Sequence, residues 1–428
     1  MPGVTGCSQR RPRSERLRDG TLDGTLEARL DALSAERGAA NREFFAAEAH
    51  TLARLCHAMA ERFARGGRLI AFGRSPAARS DARHVAVEFV HPVIVGKRAL
   101  PALGLTGDAG PLDRQVELLT GADDIAIAFG AGAGEGELAA AVAAARRRGC
   151  LTIAFAPAGA EWEFNPPTAD PYVAQELVET LYHVLWELVH VFFEHRGLLE
   201  GRSERRTHDA GASSFLYPFL DERERELDPV LDDVRSSVLM KSEEIGALRD
   251  QTLTEGRHTL LAAARMLRQS FEAGGKLLAL GNGGSATDAT DVVADLRAGG
   301  AGSGRPALDL TEDPSILTAI ANDIGVDAIF SRQVIAYGSP GDVLLALSTS
   351  GNSSNVIAAL AQARRDGLGT IAMVGYDGGR VASEALADHV VITRSEHIPR
   401  IQEAQASAYH VLVELVELVG PAPGGTER

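Results

Sequence analysis

The stretch STSGNSSN at 348–355 sets Ser348, Thr349, Ser350 and Ser353 between an apolar run (VLLAL) and an amphipathic helical pattern (VIAALAQAR). Capping a helix start takes one side-chain hydroxyl. This turn offers several, beside free backbone N–H groups that favour an anion. The chemistry expected of it is a grip on a phosphorylated small molecule. A second turn, GNGGS at 281–285, also follows an apolar run and precedes a helical pattern. Its glycines let the backbone approach a ligand closely, although alone such a turn is more often only a turn. Neither loop continues into GKS or GKT, which disfavours a P-loop nucleotidase.

Both turns belong to a repeated framework. TLLAAARMLRQSFEAGG leads into KLLALGNGGS in the second half, as TLARLCHAMAERFARGG leads into RLIAFGRSP in the first. GDVLLALSTSGNSSNVIAALAQARRDGLGTIAMVG likewise matches ADDIAIAFGAGAGEGELAAAVAAARRRGCLTIAFAP. Each reads as strand, loop, amphipathic helix, strand, which requires parallel strands. Each half then closes on a helix with one shared pattern, QELVETLYH at 175–183 and QEAQASAYH at 402–410. The chain therefore reads as a tandem α/β duplication: a tail over 1–25, a first domain over 26–196, a charged linker over 197–235, a second domain over 236–420 and a tail over 421–428.

The 428 residues suffice for two domains, and a net charge of -15 argues against a nucleic-acid backbone as partner. Cys7, Cys56 and Cys150 form neither a disulfide framework nor a zinc knuckle and fit a reducing cytoplasm. The first 20 residues are polar and Arg-rich, unlike a secretory leader. YHVLWELVHVFF is too short and too interrupted to span a bilayer.

GNGGS, LTAIANDIG, GDVLLALSTSGNSSNVI, GYDGG and RIQE, in that order, resemble a sugar isomerase (SIS) domain over about 240–420. Within that superfamily the likeness is to phosphoheptose isomerases, and the first half resembles the same domain more weakly. The resemblance implies two tandem flavodoxin-like domains, each a parallel sheet flanked by helices. It also implies a homotetramer with pockets at subunit interfaces, which two tandem chains, a homodimer, would rebuild as a pseudo-tetramer. Asn282, Gly283, Ser285, Ser348, Thr349, Ser350 and Ser353 would hold phosphate and sugar, with Asp313 near the sugar hydroxyls.

The family's isomerases place a His and a Glu four apart after the glycine loop, and a Gln and a His eight apart on the last helix, to hold zinc and move protons. The matching positions here are Asp291, Asp295, Gln402 and His410, with Gln402 also counted among the substrate contacts. Asp295 and His410 would be the acid–base pair. Positions i and i+4 share a helix face. Gln402 and His410 lie roughly 12 Å apart along an axis, so they either lean together or serve pockets on opposite sides of an interface. Asp291 replaces a His, which opens the site to a harder divalent metal. Pro399 replaces an acidic residue before Arg-Ile-Gln.

The first half departs differently. Its loops read GRSP and GAGAGEGE, with Pro76 at the helix start and Glu135 and Glu137 set to repel a phosphate. Yet His84 and Glu88 keep the i, i+4 spacing, and Gln175 and His183 keep the eight-residue one. Two readings stand: shared descent with helix-packing roles, or complementation, in which the first half completes a site whose phosphate end lies in the second. The activity implied is isomerisation of a phosphorylated sugar, foremost sedoheptulose 7-phosphate to a heptose 7-phosphate, through an enediol with a divalent metal such as zinc. The alternative is a non-catalytic sugar-phosphate sensor or protein adaptor.

Overall fold

The computed structural model describes residues 13–93, 97–106, 110–130, 135–194, 226–299 and 304–419. The first half runs α1 (Arg13–Ala64), β1 (Leu69–Phe72), α2 (Pro76–Val90), β2 (Ala102–Leu105), α3 (Leu112–Leu119), β3 (Ile125–Ala128), α4 (Glu135–Arg147), β4 (Leu151–Ala154), β5 (Trp162–Glu163) and α5 (Pro171–Glu194). The second runs α6 (Leu227–Glu272), β6 (Leu277–Leu280), α7 (Gly284–Ala298), β7 (Ala307–Asp309), α8 (Pro314–Asp323), α9 (Ile329–Tyr337), β8 (Val343–Ser348), α10 (Ser354–Arg365), β9 (Gly369–Gly375), α11 (Gly379–Ser383), β10 (His389–Thr393) and α12 (Ile398–Leu418).

Each half builds a five-stranded sheet, in the orders β2-β1-β3-β4-β5 and β7-β6-β8-β9-β10, with every pair parallel. Renumbered within its half, each order is 2-1-3-4-5, the flavodoxin-like arrangement. The central strands LIAF, IAIA and VLLALS are buried along their whole length. Helices cover both faces of such sheets, so an uninterrupted apolar run is what a central parallel strand needs.

The two halves are interlocked. Leu26, Leu30 and Leu33 at the start of α1 pack into the core of the second half, whereas Phe44 to Phe63 pack into that of the first. Reciprocally, Val230, Val234 and Val238 at the start of α6 enter the first half's core, and Leu253 to Leu267 serve the second. These leucines and valines recur every three or four residues, one stripe along a helix. The stretch read from sequence as a tail to residue 25 is helical from Arg13, and 227–235, read as linker, opens α6. Residues 1–12, most of the expected linker (195–225) and the tail from 420 lie outside the described residues. Among those described, no helix is long and apolar enough to cross a membrane.

Candidate functional site

The second half's glycine turn begins the site. Gly283 adopts φ 59°, ψ −126° at the N-cap of α7, a conformation that favours glycine. At Gly284 an added Cβ would lie 1.8 Å from Gln402 Nε2 and 2.6 Å from His84 Nε2. The loop backbone therefore runs directly against a side chain from each half of the chain. Asn282 and Asn355 exchange two amide hydrogen bonds of 3.0 Å, tying this turn to the serine-bearing one. In that second turn Gly351 N donates to Ser348 Oγ and Asn352 N to Ser350 Oγ, each at 3.2 Å. Ser353 is the N-cap residue of α10, and its side chain makes no capping bond. Asp313 caps α8, accepting from Ser315 N (2.8 Å) and Ile316 N (3.2 Å). That helix start holds the carboxylate expected near sugar hydroxyls. Pro399 occupies the first turn of α12, where its missing N–H costs nothing.

Behind Gly284, α2 and α5 of the first half meet α12 of the second. His84 Nε2 lies 3.4 Å from His183 Nε2, 3.3 Å from Gln402 Nε2 and 3.9 Å from Glu88 Oε1. His84, Glu179 and His183 each bring a ligand atom within 4.8 Å of the others. Tyr182 Oη sits 2.9 Å from His84 Nδ1. His183 Nδ1 donates to Glu403 Oε1 at 2.9 Å, and Glu403 is anchored in turn by Arg400 (2.8 Å) and Thr180 (3.2 Å). A carboxylate on Nδ1 leaves Nε2 as the working nitrogen. Burial, with His183 alongside, pushes His84 well below the usual imidazole range, so it stays neutral. Burial lifts Glu88 to about 7; Glu187 and Glu403 add to this and His183 opposes it.

Two imidazoles, an amide and carboxylates suit a zinc-class divalent ion. The fit is supported by buried oxygens with no hydrogen-bond partner: Glu88 Oε2, Glu179 Oε1 and Gln402 Oε1.

A second cluster mirrors the first. His410 Nδ1 donates to Glu176 Oε1 at 3.0 Å, and its Nε2 lies 3.6 Å from Asp295 Oδ2. Asp291 Oδ2 is 3.0 Å from the Ser80 hydroxyl, which also reaches the Thr287 carbonyl at 2.9 Å. Gln175 hydrogen-bonds Asp81, on the same helix as Ser80. Burial opposes ionisation of Glu176, yet Arg37 and His410 hold it down at about 2. Burial lifts Asp295 to about 6, with His410 opposing.

The expected metal set Asp291, Asp295, Gln402 and His410 is thus divided: Gln402 joins His84 and His183, and His410 joins Asp295. In the first-half set, His84 and His183 meet, and Gln175 hydrogen-bonds Asp81. Gln402 and His410 do not lean together: Gln402 lies beside His84 and His410 beside Asp295. The repeated Gln-Glu…Tyr-His pattern now has a physical reading. Each helix's Glu fixes the other helix's His, Glu176 with His410 and Glu403 with His183. Sequence reasoning assigned these glutamates nothing, nor Glu179, although the Gln-Glu dipeptide repeated in both copies was the available signal.

At the first half's turn, Glu137 is paired within the chain. Glu137 accepts from Arg74 at 2.8–3.2 Å and from Leu112 N at 3.0 Å. The carboxylate expected to repel a phosphate is itself held by an arginine and a helix start. Ser75 caps α2 ahead of Pro76. The placement of 131–134 and the side chain of Glu135 lie outside the described residues.

A model of the SIS domain matches residues 242–375. A phosphoheptose isomerase of Chlorobium phaeobacteroides is 43% identical over 204 residues, 46% of this chain and 85% of that protein. The C-terminal domain of a glucosamine-fructose-6-phosphate aminotransferase from Francisella tularensis covers 90% of this chain and 93% of its own, with a TM-score of 0.55 and 10% identity. A tagatose-6-phosphate ketose/aldose isomerase from Escherichia coli covers 91% and 92%, with a TM-score of 0.52 and 13% identity. At these identities the two structures speak for the fold alone. Strand order, the glycine and hydroxyl turns and the sequence identity of the second half converge: the chain belongs to the SIS-domain family of sugar isomerases, as a tandem member whose second half is similar to phosphoheptose isomerases.

Proposed function

We propose that the chain isomerises a phosphorylated ketose to its aldose, with sedoheptulose 7-phosphate as the first substrate to test, at one composite site shared by its halves. The observation that carries this is the contact of Gly284 with both His84 and Gln402. The second half's glycine turn, tied to its hydroxyl turn through Asn282 and Asn355, thereby lies against the His84–His183 cluster. Ser285, Ser348, Thr349, Ser350 and Ser353, with the N–H groups of α7 and α10, are assigned the phosphate. Asn282 holds the two turns together.

At the carbonyl end, Glu88 takes the proton from the carbon beside the ketone and returns it to the neighbouring carbon through a cis-enediol. A carboxyl lifted to about 7 suits both directions of that transfer near neutral pH. The proton exchanged between the two substrate oxygens passes through solvent, since the free Nε2 of His183, its ring fixed by Glu403, is one of the candidate metal ligands. The acid–base role expected of Asp295 passes to Glu88, because the second half's glycine turn lies against the His84 cluster and Glu137 on the other side is paired with Arg74. His84, His183 and Gln402, with Glu179, would hold a divalent ion, which when bound would polarise the substrate oxygens.

Sedoheptulose 7-phosphate is incubated with the full chain, with and without zinc, manganese or magnesium, and the aldose is quantified. Formation of the aldose supports the assignment. Binding without turnover across all metals would instead identify a sugar-phosphate sensor.

A further inference from the structure

We infer that Tyr182 is a positioning residue of the His84 cluster: its hydroxyl holds the His84 ring from behind and serves that ring with its proton on either nitrogen, so that Nε2 is available to an ion. The inference rests on the divalent-ion reading of the cluster. The Tyr-His pair that closes both halves gave its histidine a role and left the tyrosine none. Tyr182 is buried on α5, one residue before His183, and its Oη lies 2.9 Å from His84 Nδ1. Its ring meets both imidazoles edge-on, with centroids 5.4 Å from His84 and 5.0 Å from His183. Two adjacent residues of α5 thus supply one candidate ligand and the outer partner of another. At 409–410 the same pair has Asp291 as neighbour, a carboxylate with no second nitrogen to orient.

The two imidazoles are backed by unlike groups. An ionised carboxylate only accepts, so Glu403 keeps the proton of His183 on Nδ1 and its Nε2 bare. A phenol hydroxyl both donates and accepts. When no ion is bound, the hydroxyl donates to His84 Nδ1, and His84 Nε2–H is directed at His183 Nε2, 3.4 Å away. Two bare Nε2 atoms at that distance would repel. Gln402, 3.3 Å from the same nitrogen, is an amide and offers a donor or an acceptor. An ion on Nε2 requires that nitrogen to lose its proton. The ring stays neutral by gaining one on Nδ1, and the hydroxyl turns to accept it, so the ring's proton count is unchanged. A carboxylate in place of Tyr182 would pin the proton on Nδ1 in both states, and phenylalanine would support neither.

The test is long-range proton–nitrogen NMR of the full chain labelled with ¹⁵N-histidine, stripped with chelator and then titrated with zinc. His84 and His183 are assigned through His84→Gln and His183→Gln. In the wild type His84 should carry its proton on Nε2 without zinc and on Nδ1 with it, while His183 stays protonated on Nδ1 throughout. Tyr182→Phe keeps the aromatic ring and removes only the hydroxyl. It should mix the two His84 tautomers in the zinc-free chain and lower zinc affinity, read by chelator competition, by about 10–100-fold. A wild-type His84 with the same tautomer in both states would overturn the inference without any variant. So would Tyr182→Phe with the wild-type tautomer, whether or not affinity falls, because a loss of affinity alone marks packing. No zinc on the wild type would sink the ion reading of the cluster, and the hold of Tyr182 on the ring would then stand or fall on the zinc-free tautomers.

Discussion

The two halves repeat one strand–turn–helix, yet the turns differ: one keeps glycines and hydroxyls, and in the other an arginine pairs with a glutamate. In the second half, Gly283 and Gly284 leave bare backbone and Asn282 spans to Asn355. In the first, Ser75 and Pro76 start the helix and Glu137 lies against Arg74 and Leu112 N. The side chains behind the turns diverged in the opposite sense. The first half keeps the imidazole-bearing His84 and Glu88, and the second carries Asp291 and Asp295. Because each cluster draws on both halves, each half could lose a different part while one complete set survived. Duplication within one chain makes that possible, since two identical subunits would have lost the same part at both sites.

The comparison breaks most visibly on activity. Glu88→Gln should lower kcat by about 10²–10⁴-fold, the usual range for removing a general acid–base group. Asp295→Asn should lower it less than about tenfold. The reverse order in a steady-state assay would move the chemistry to the second half's own quartet.

A stability contrast sharpens it. Glu176→Gln and Glu403→Gln each leave buried cations short of a partner, Arg37 in one case and Arg400 in the other. Each should destabilise by about 3–5 kcal/mol in chemical denaturation. Only Glu403→Gln, which frees the ring of His183, should also reduce metal affinity at the His84 cluster, by about 10–100-fold. Equal loss of that affinity in both variants would mean that the two glutamates do not serve separate sites.

The smallest effect concerns acid. Burial opposes ionisation of Glu187, but Lys241 and Arg400 hold its carboxyl far below the usual range. Its contribution is therefore complete above the unfolded glutamate's pKa and is lost as pH falls through the lower folded value. In Glu187→Gln the fall in stability with acid should flatten by up to one proton, about 1.4 kcal/mol per pH unit. Parallel curves for variant and wild type, measured by urea unfolding from pH 5 to pH 3, would refute the pairing.

Much of the fold was legible because its signals are local. Apolar runs such as LLAL and IAIA, glycine turns after them and amphipathic helices behind them specify parallel strand–helix units. Repetition of those signals specified two sheets of one topology. The hydroxyl turn and its glycine partner were legible for the same reason: a helix start carries its own anion chemistry whatever surrounds it. The eight-residue spacing of Gln and His showed that the two could not easily share an ion.

Tertiary packing alone decided which Gln meets which His, because that depends on how α5 and α12 lie against each other and on no feature of either helix. It also decided the reciprocal exchange of the ends of α1 and α6, since an apolar stripe on a long helix does not name the core that buries it. Glu137 on Arg74 is of the same kind, a side-chain contact bridging 63 residues of chain. Local periodicity is written in each segment, whereas the partner of a buried polar group is set by whichever segment reaches the same dry space.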